Sequence, residues 1–166
     1  MNPAYKSMPD ITIQDAVSKA DVAHIRSLFL EYAESLHFDL CFQDFDSEID
    51  DLEVMYAAPR GAMMIARVGG HPVAGGVGMR PLEDGVCEMK RMYVRPGYRG
   101  LRLGETLADA VIARGKAAGY RAMRLDTIAD AMPKAVAIYT ARGFREIPAY
   151  YNNPTPGVRY YELDLT

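Results

Sequence analysis

The sequence predicts a mixed α+β fold in which a sheet is flanked by helices. Two observations support this class. The middle of the chain holds three apolar or alternating runs separated by hairpin-like turn signals, which is typical of antiparallel strands. The second half then alternates between residues at helical spacing and short strands of the buried type. Strands followed by alternating helices and strands indicate a mixed sheet with helices packed against it.

The start of the chain is predicted to contain a short strand, residues 11–14, followed by an amphipathic helix. Ser18 and Asp21 resemble a capping box with Asp in place of the usual Glu. Apolar residues then recur at helical spacing, at Val22, Ile25, Phe29, Tyr32 and Leu36. Residues 47–57 indicate a second, shorter helix. The aromatic and acidic stretch between the two helices is predicted to be an irregular loop.

The next three strands are predicted at residues 63–68, 73–80 and 86–94. They are separated by Gly-Gly-His at 69–71 and Glu-Asp-Gly at 83–85, which are turn signals of antiparallel hairpins. These strands are therefore expected to form an antiparallel meander. The remaining elements are, in order, a helix that ends near Gly119, a strand at 121–128, a helix from Pro133 to a C-cap at Gly143, and strands at 144–147 and 158–165.

The bulk composition is that of an ordinary globular protein, because 49% of the 166 residues are apolar and 25% are charged. We expect one domain over residues 1–166, with residues 1–10 as a loose tail. No signal-like or membrane-length apolar run is seen, so a soluble, cytoplasmic protein without a membrane partner is expected. The net charge of −3 disfavours a nucleic-acid partner. Cys41 and Cys87 do not have metal-ligand spacing, so no metal is expected.

A concentration of glycine and arginine residues at 95–105 marks the predicted join between a strand and a helix. Unpaired N–H groups at a helix N-terminus, together with arginine side chains, can hold a phosphate group. The alternative is an ordinary glycine-containing turn that carries solvated arginines. The spacing excludes a Walker loop and a dinucleotide fingerprint.

Residues 87–104 resemble the fourth strand and motif A of the GNAT superfamily, whose signature is Gln/Arg-x-x-Gly-x-Gly/Ala. Arg99 and Gly104 match the two ends of that signature, whereas Arg102 stands where the middle glycine is usual. Residues 137–144, Ala-Ile-Tyr-Thr-Ala-Arg-Gly-Phe, resemble the family's Leu-Tyr-x-x-x-Gly-Phe segment. Met132 occupies a position where the family often has asparagine. The resemblance implies a GNAT-like α+β fold with a mostly antiparallel, twisted sheet of six to seven strands and about four helices.

The resemblance also implies acetyl-CoA as co-substrate. The residues it implies for cofactor binding are Met92, Tyr93, Val94, Arg99, Gly100, Leu101, Arg102, Leu103, Gly104 and Glu105. Glu88 would be the general base, and Tyr139 the general acid that protonates the leaving thiolate. An outward-facing glutamate or an ion-pair partner of Lys90 or Arg91 is the alternative for Glu88, and core packing is the alternative for Tyr139. An acyl-Cys87 mechanism is disfavoured because no histidine lies nearby in sequence.

The acceptor is expected to be a primary amine that attacks directly in a ternary complex. Acceptor-binding candidates are the aromatic residues Phe38, Phe42, Tyr150 and Tyr151, for which core or surface-loop packing is the alternative. A small-molecule amine or amino acid is the favoured acceptor, and a protein lysine or N-terminus is an alternative. A non-catalytic acyl-CoA sensor or interaction module, and a homodimer, also remain open.

Overall fold

The computed structural model describes residues 8–36, 40, 44–70 and 72–166. The strands are β1 (Ile11–Asp15), β2 (Ala62–Val68), β3 (Val73–Glu83), β4 (Val86–Val94), β5 (Ala122–Ile128), β6 (Arg145–Ile147) and β7 (Val158–Asp164). The helices are α1 (Lys19–Ser35), α2 (Phe45–Asp50), α3 (Leu52–Met55), α4 (Leu103–Ala117) and α5 (Pro133–Ala141), with a short 3-10 helix at Pro96–Tyr98.

All seven strands form one sheet in the order β1-β2-β3-β4-β5-β7-β6. Every neighbouring pair is antiparallel except β4 and β5, which are parallel. The predicted mixed, mostly antiparallel sheet is therefore confirmed. The tight β3–β4 turn requires Gly85, whose φ of 72° is in the left-handed region that glycine enters without a Cβ clash.

The prediction of one continuous helix at residues 47–57 is wrong. The structure has two short helices there, α2 and α3, because the backbone leaves the helical region at Asp51, with φ −117° and ψ 30°. Hydrophobic spacing is insensitive to one such residue, since the apolar side chains on both sides of the break still face the sheet. The start of α1 agrees with the prediction, because the Ser18 hydroxyl accepts a hydrogen bond from the Asp21 N–H at 3.1 Å.

Two apolar cores lie on opposite faces of the sheet. Helices α4 and α5 cover one face, where Leu107 and Val111 are fully buried. Helices α1 to α3 cover the other, where Ile25 and Phe29 are fully buried. Each such side chain contributes about 1.5–3 kcal/mol when it is removed from water. Across the described ranges, no helix combines the length and apolarity that a membrane crossing requires.

The sheet opens between its two central strands. Strands β4 and β5 pair at only three positions, Val86–Glu88 with Ala122–Arg124, although both strands continue beyond them. Further along β4, Arg91 has φ 58° and the β3–β4 register shifts, which defines a β-bulge. The described part of the sheet therefore has a gap at its centre, lined by the unpaired edges of two strands.

Candidate active site

The turn that connects β4 to α4 presents open backbone N–H groups. Gly100 and Arg102 have φ values of 87° and 61°. The first backbone bond of α4 runs from the Thr106 N–H to the Arg102 carbonyl at 3.1 Å, which leaves the three preceding N–H groups of the helix without an intrahelical acceptor. These groups belong to Leu103, Gly104 and Glu105. Together with the positive end of the helix dipole, they suit an anion.

Arg102 adopts the left-handed conformation that a glycine would take more easily. Its side chain is 75% exposed and donates to the Glu105 carboxylate at 2.6 Å, so these two charges offset each other. The Leu103 side chain is buried in the core, and a Cβ on Gly104 would approach Ile138 to 3.1 Å. Residues 102–104 therefore present backbone rather than side-chain groups to an anion. The side chain of Leu101, which precedes them, is half-buried against the core.

A cavity of about 530 Å³ adjoins this turn. Arg99 lies in its wall, and the Arg99 Nε donates to the Val94 carbonyl at 3.3 Å. Met132 also lines the cavity, and its sulfur accepts a hydrogen bond from Thr127 at 3.5 Å. This methionine thus offers no amide where the family often has asparagine. The other lining residues come from the end of α1, the end of β5 and the loop before β7: Ser35, Leu36, Ile128, Ala131, Thr155 and Pro156.

The three candidates on β4 face both sides of the sheet. Met92 and Val94 pack against the core beneath α4. Tyr93 lies on the other face, with its ring edge-on to Tyr32 at 6.3 Å between centroids. Since β4 pairs with no other described segment on its β5 side beyond Glu88, its backbone edge is open there to an extended ligand.

Glu88 is buried on the α1 side of the sheet, with 1% of its surface exposed. The Arg80 guanidinium contacts its Oε1 at 3.1 Å, and the Tyr150 hydroxyl donates to its Oε2 at 2.6 Å. The Lys90 ammonium lies 3.9 Å from Oε1. Glu88 therefore faces inward, and its main ion-pair partner is Arg80 rather than Lys90 or Arg91.

Tyr150 and Tyr151 each contact a carboxylate at the gap. The Tyr151 hydroxyl donates to Asp126 Oδ2, and Asn153 donates to the same oxygen at 3.0 Å. Burial and the nearby carboxylates raise the pKa of both tyrosines. They are therefore neutral hydrogen-bond donors at pH 7. Their rings also pack on Tyr160, with centroids 5.2 and 5.6 Å away.

Phe38 and Phe42, the other two acceptor candidates, lie outside the described residues, as does Cys41. Asp44 is described and stands at the N-cap of α2 without a side-chain capping bond.

Tyr139 combines a packed ring with an unpaired hydroxyl. Its ring lies edge-on to Phe144 at 5.7 Å, within the core beneath α4 and α5. Within residues 8–36, 40, 44–70 and 72–166, its hydroxyl has no hydrogen-bond partner. Burial raises the pKa of Tyr139, and electrostatic interactions with Tyr32 and Asp126 raise it further.

Sequence reasoning missed a buried ion pair beside the site. Glu48 of α2 is fully buried, and the Arg91 guanidinium contacts it at 2.8 Å. Tyr56 also donates to Glu48, and Arg91 lies 5.1 Å above the Phe45 ring. The available signal was a run of charged residues in an otherwise apolar β4, which predicts buried charges with partners. It does not name Glu48 as the partner.

Asp126 and Arg80 were also missed. In β5 the charged residues Arg124 and Asp126 alternate with buried apolar residues, a signal that one face of this central strand is polar. Cys87 lies on the opposite face from Glu88, fully buried. Burial raises the pKa of Cys87 to about 12, so the thiol is protonated and a poor nucleophile. In the described ranges, no group of three or more acidic, histidine or cysteine side chains could hold a metal ion.

Comparison with known proteins identifies the class. Residues 22–144 match the acetyltransferase (GNAT) family. An uncharacterized N-acetyltransferase of Schizosaccharomyces pombe is 37% identical over 95% of this chain and 96% of its own length. A solved GNAT-family acetyltransferase from Staphylococcus aureus is 23% identical to this chain, with a TM-score of 0.77. The match covers 95% of this chain and 100% of the Staphylococcus aureus chain.

A second solved structure carries the family's acyl donor. The acetyltransferase yncA of Salmonella typhimurium, solved with its cofactor acetyl-CoA, has a TM-score of 0.68 and 16% identity, covering 94% of each chain. The chain described here belongs to the GNAT acetyltransferase family. It is an acyl-CoA-dependent N-acetyltransferase, and its family uses acetyl-CoA.

Proposed function

We propose that this enzyme transfers an acetyl group from acetyl-CoA to a primary amine by direct attack in a ternary complex, with a small-molecule amine or amino acid as acceptor. One observation carries this proposal. The buried Glu88 carboxylate stands at the last paired position of β4 and β5, and the Tyr139 hydroxyl, which has no hydrogen-bond partner among the described residues, interacts electrostatically with Asp126 on β5. A base and an acid that both serve this part of the sheet suit a reaction that takes a proton from an amine and returns one to a thiolate.

The residues around the gap fit acetyl-CoA. The open N–H groups of Leu103, Gly104 and Glu105, with the guanidinium of Arg99 nearby, would hold its pyrophosphate. The unpaired edge of β4, from Met92 to Val94, would pair with its extended arm. When bound, acetyl-CoA supplies the acetyl thioester that the amine attacks.

Glu88 would remove the proton from the acceptor amine, directly or through a water molecule. A lysine-like amine with a pKa of about 10.4 is largely protonated at pH 7, a deficit of roughly 4–5 kcal/mol for an attack that needs the neutral form. Arg80 and Tyr150 hold the carboxylate in place from its two oxygens.

Tyr139 would donate a proton to the departing sulfur. Its raised pKa keeps the phenol protonated at neutral pH, because a group titrates only near its pKa. Its hydroxyl has no partner among the described residues, so it is available for this transfer without breaking a protein hydrogen bond.

The proposal is tested by following thiol release from acetyl-CoA with an acceptor panel of monoamines, polyamines, amino acids, and peptides with a free lysine or N-terminus. We expect saturable release with members of the small-molecule set, and the acetylated amine identified by mass spectrometry. Faster release with the peptides would instead assign a protein acceptor. Thermal stabilisation by acetyl-CoA without thiol release for any acceptor would contradict the proposal.

A further inference from the structure

Two residues of opposite charge occupy facing positions on the two strands that border the gap in the sheet. Glu88 and Arg124 are the last paired residues of β4 and β5. Lys90 and Asp126 each stand two residues further along, so both project from the same face as that last pair. They occupy the position where the next pair of the ladder would form if the strands did not separate. Asp126 also influences the pKa of Lys90, as expected of neighbouring charges.

The other charges around the gap already have partners. Arg91 pairs with Glu48, and Arg80 pairs with Glu88. Arg124 pairs with Glu83 and Glu162 at 3.0 and 2.7 Å. Among the described residues, this leaves Lys90, whose contact with the Glu88 carboxylate is long at 3.9 Å and is shared with Arg80, and Asp126, which forms no ion pair with a described cation.

Lys90 is a buried cation that donates no hydrogen bond to any residue the structure describes. It is 4% exposed, and its closest anion is the Glu88 oxygen at 3.9 Å, which Arg80 already contacts. Burial lowers the pKa of Lys90, because removing an ammonium from water disfavours the charged form. An anionic ligand would compensate that cost and supply the missing hydrogen bonds.

Asp126 has one oxygen engaged and one open. Tyr151 and Asn153 both donate to Oδ2, whereas Oδ1 accepts no hydrogen bond from the part of the chain that the structure describes. The two donors are neutral and fix the orientation of the carboxylate, so Oδ1 is directed and available for a cationic ligand.

We propose that the acceptor is an amino acid, whose ammonium group binds Asp126 and whose carboxylate binds Lys90. This inference rests on the proposed transfer to an amine and names the acceptor class. A zwitterion supplies a cation to Asp126 and hydrogen-bond acceptors to Lys90, whereas a simple amine supplies only the cation and leaves Lys90 with its long contact to Glu88. Because a site with a buried polar group discriminates strongly against ligands that leave it unpaired, Lys90 would select for the acceptor carboxylate.

The test compares matched acceptors in the wild-type enzyme: alanine with ethylamine, leucine with isopentylamine, and phenylalanine with phenethylamine. We expect kcat/KM, referred to the neutral fraction of each amine, to be at least about 10-fold higher for each amino acid than for its decarboxylated partner. Equal use of both partners would overturn this inference and leave the proposed function standing. Absence of thiol release with every acceptor would remove the proposed function itself, and the inference with it.

Variants assign the discrimination to the two residues. Lys90→Met should lower kcat/KM for the amino acid by about 30-fold, mainly through KM, and lower it much less for the decarboxylated amine, which has no carboxylate for Lys90 to bind. Lys90→Arg, which retains the charge, should recover part of the loss. Asp126→Asn should raise KM for both partners, because both carry the amine. An equal loss with both acceptors in Lys90→Met would contradict the assignment.

A folding control accompanies each variant. The far-ultraviolet circular dichroism spectrum and the thermal shift produced by acetyl-CoA should match those of the wild type. If Lys90→Met does not fold, Lys90→Gln replaces it, and the wild-type preference within the matched pairs remains a test by itself.

Discussion

At the scale of single residues, the two proposed catalytic groups are held in different ways. Glu88 is fixed by an ion pair and a tyrosine hydroxyl, so its position depends on polar neighbours. Tyr139 is fixed by the packing of its ring on Phe144, while its hydroxyl has no partner in the described ranges. The core-packing alternative and the general-acid role are therefore compatible for Tyr139, since different atoms serve them.

Replacing Tyr139 with phenylalanine should separate these roles. The ring and its packing are retained, so acetyl-CoA affinity should stay within about twofold while kcat falls about 100-fold. Steady-state kinetics and calorimetric titration with acetyl-CoA measure the two effects. The matched control is Tyr120→Phe, which removes a buried hydroxyl that donates to the Arg60 carbonyl at 2.6 Å. That variant should lose about 1 kcal/mol of stability and keep its kcat. An unchanged kcat in Tyr139→Phe would exclude the residue from proton transfer.

Replacing Glu88 with glutamine should produce a pH-dependent defect. The variant lacks a base, so it can use only the fraction of acceptor that is already neutral, and this fraction grows as the pH approaches the pKa of the amine. Activity should fall by about 100-fold or more at pH 7 and recover partly near pH 9–10. The measurement is a pH profile of kcat/KM against that of the wild type. A constant ratio across the profile would argue against a base at this position.

At the scale of elements, a glycine in β3 makes room for an aromatic ring whose contacts link the α2–α3 segment to β4 beside the site. A Cβ on Gly78 would lie 2.5 Å from the Tyr56 ring, so glycine is needed for the ring to pack on the sheet. The Tyr56 hydroxyl in turn donates to Glu48, which pairs with Arg91 at the bulge of β4. Strand, helix and bulge are thus joined through one aromatic side chain.

Gly78→Ala should therefore destabilise the protein and disturb this connection. We expect a loss of about 1–3 kcal/mol from overpacking against a buried ring. Urea denaturation measures the change in midpoint. Gly97→Ala is the control, because a Cβ there meets no atom within 4 Å, and its effect should stay within about 0.5 kcal/mol. Equal midpoints for the two variants would show that the Tyr56 ring moves aside without cost.

At the scale of the whole molecule, the Glu48–Arg91 pair makes stability depend on pH. Burial alone would raise the pKa of Glu48, but the Arg91 guanidinium and the hydrogen bonds from Arg91 and Tyr56 outweigh it, so the pKa lies below its ordinary value of 4.5. A carboxylate whose pKa is lowered by folding stabilises the protein above the unfolded pKa. That contribution is lost as the pH falls through the lower, folded pKa.

The free energy of unfolding should therefore fall as the pH decreases below about 4.5. Glu48→Gln should lose about 3–5 kcal/mol at pH 7, because Arg91 becomes an unpaired buried charge, and should lack the Glu48 part of the acid dependence. Urea titrations from pH 3 to 7 compare the two proteins. Glu34→Gln, which changes an exposed carboxylate, should reproduce the wild-type curve. An acid dependence in Glu48→Gln as steep as in the wild type would refute the assignment to this pair.

Much of the fold could be predicted because its signals are local. Alternation, helical spacing and turn residues located all seven strands within about three residues of their observed ends. The error at residues 47–57 arose because the break depends on the dihedral angles of Asp51, which apolar spacing does not report. Tyr150 and Tyr151 were identified only as an aromatic pair before the last strand, and their contacts with Glu88 and Asp126 depend on residues that are distant in sequence.

By itself, the sequence determined the fold class, the GNAT family and the turn that precedes α4, because each depends on short runs of neighbouring residues. Only the tertiary structure decided which charges meet. Arg91 reaches Glu48 because a bulge redirects it, and Lys90 and Asp126 occupy facing positions without pairing because β4 and β5 separate after three paired positions. Bulge, gap and pairing result from the packing of the whole sheet between its helices, and no local pattern of residues encodes them.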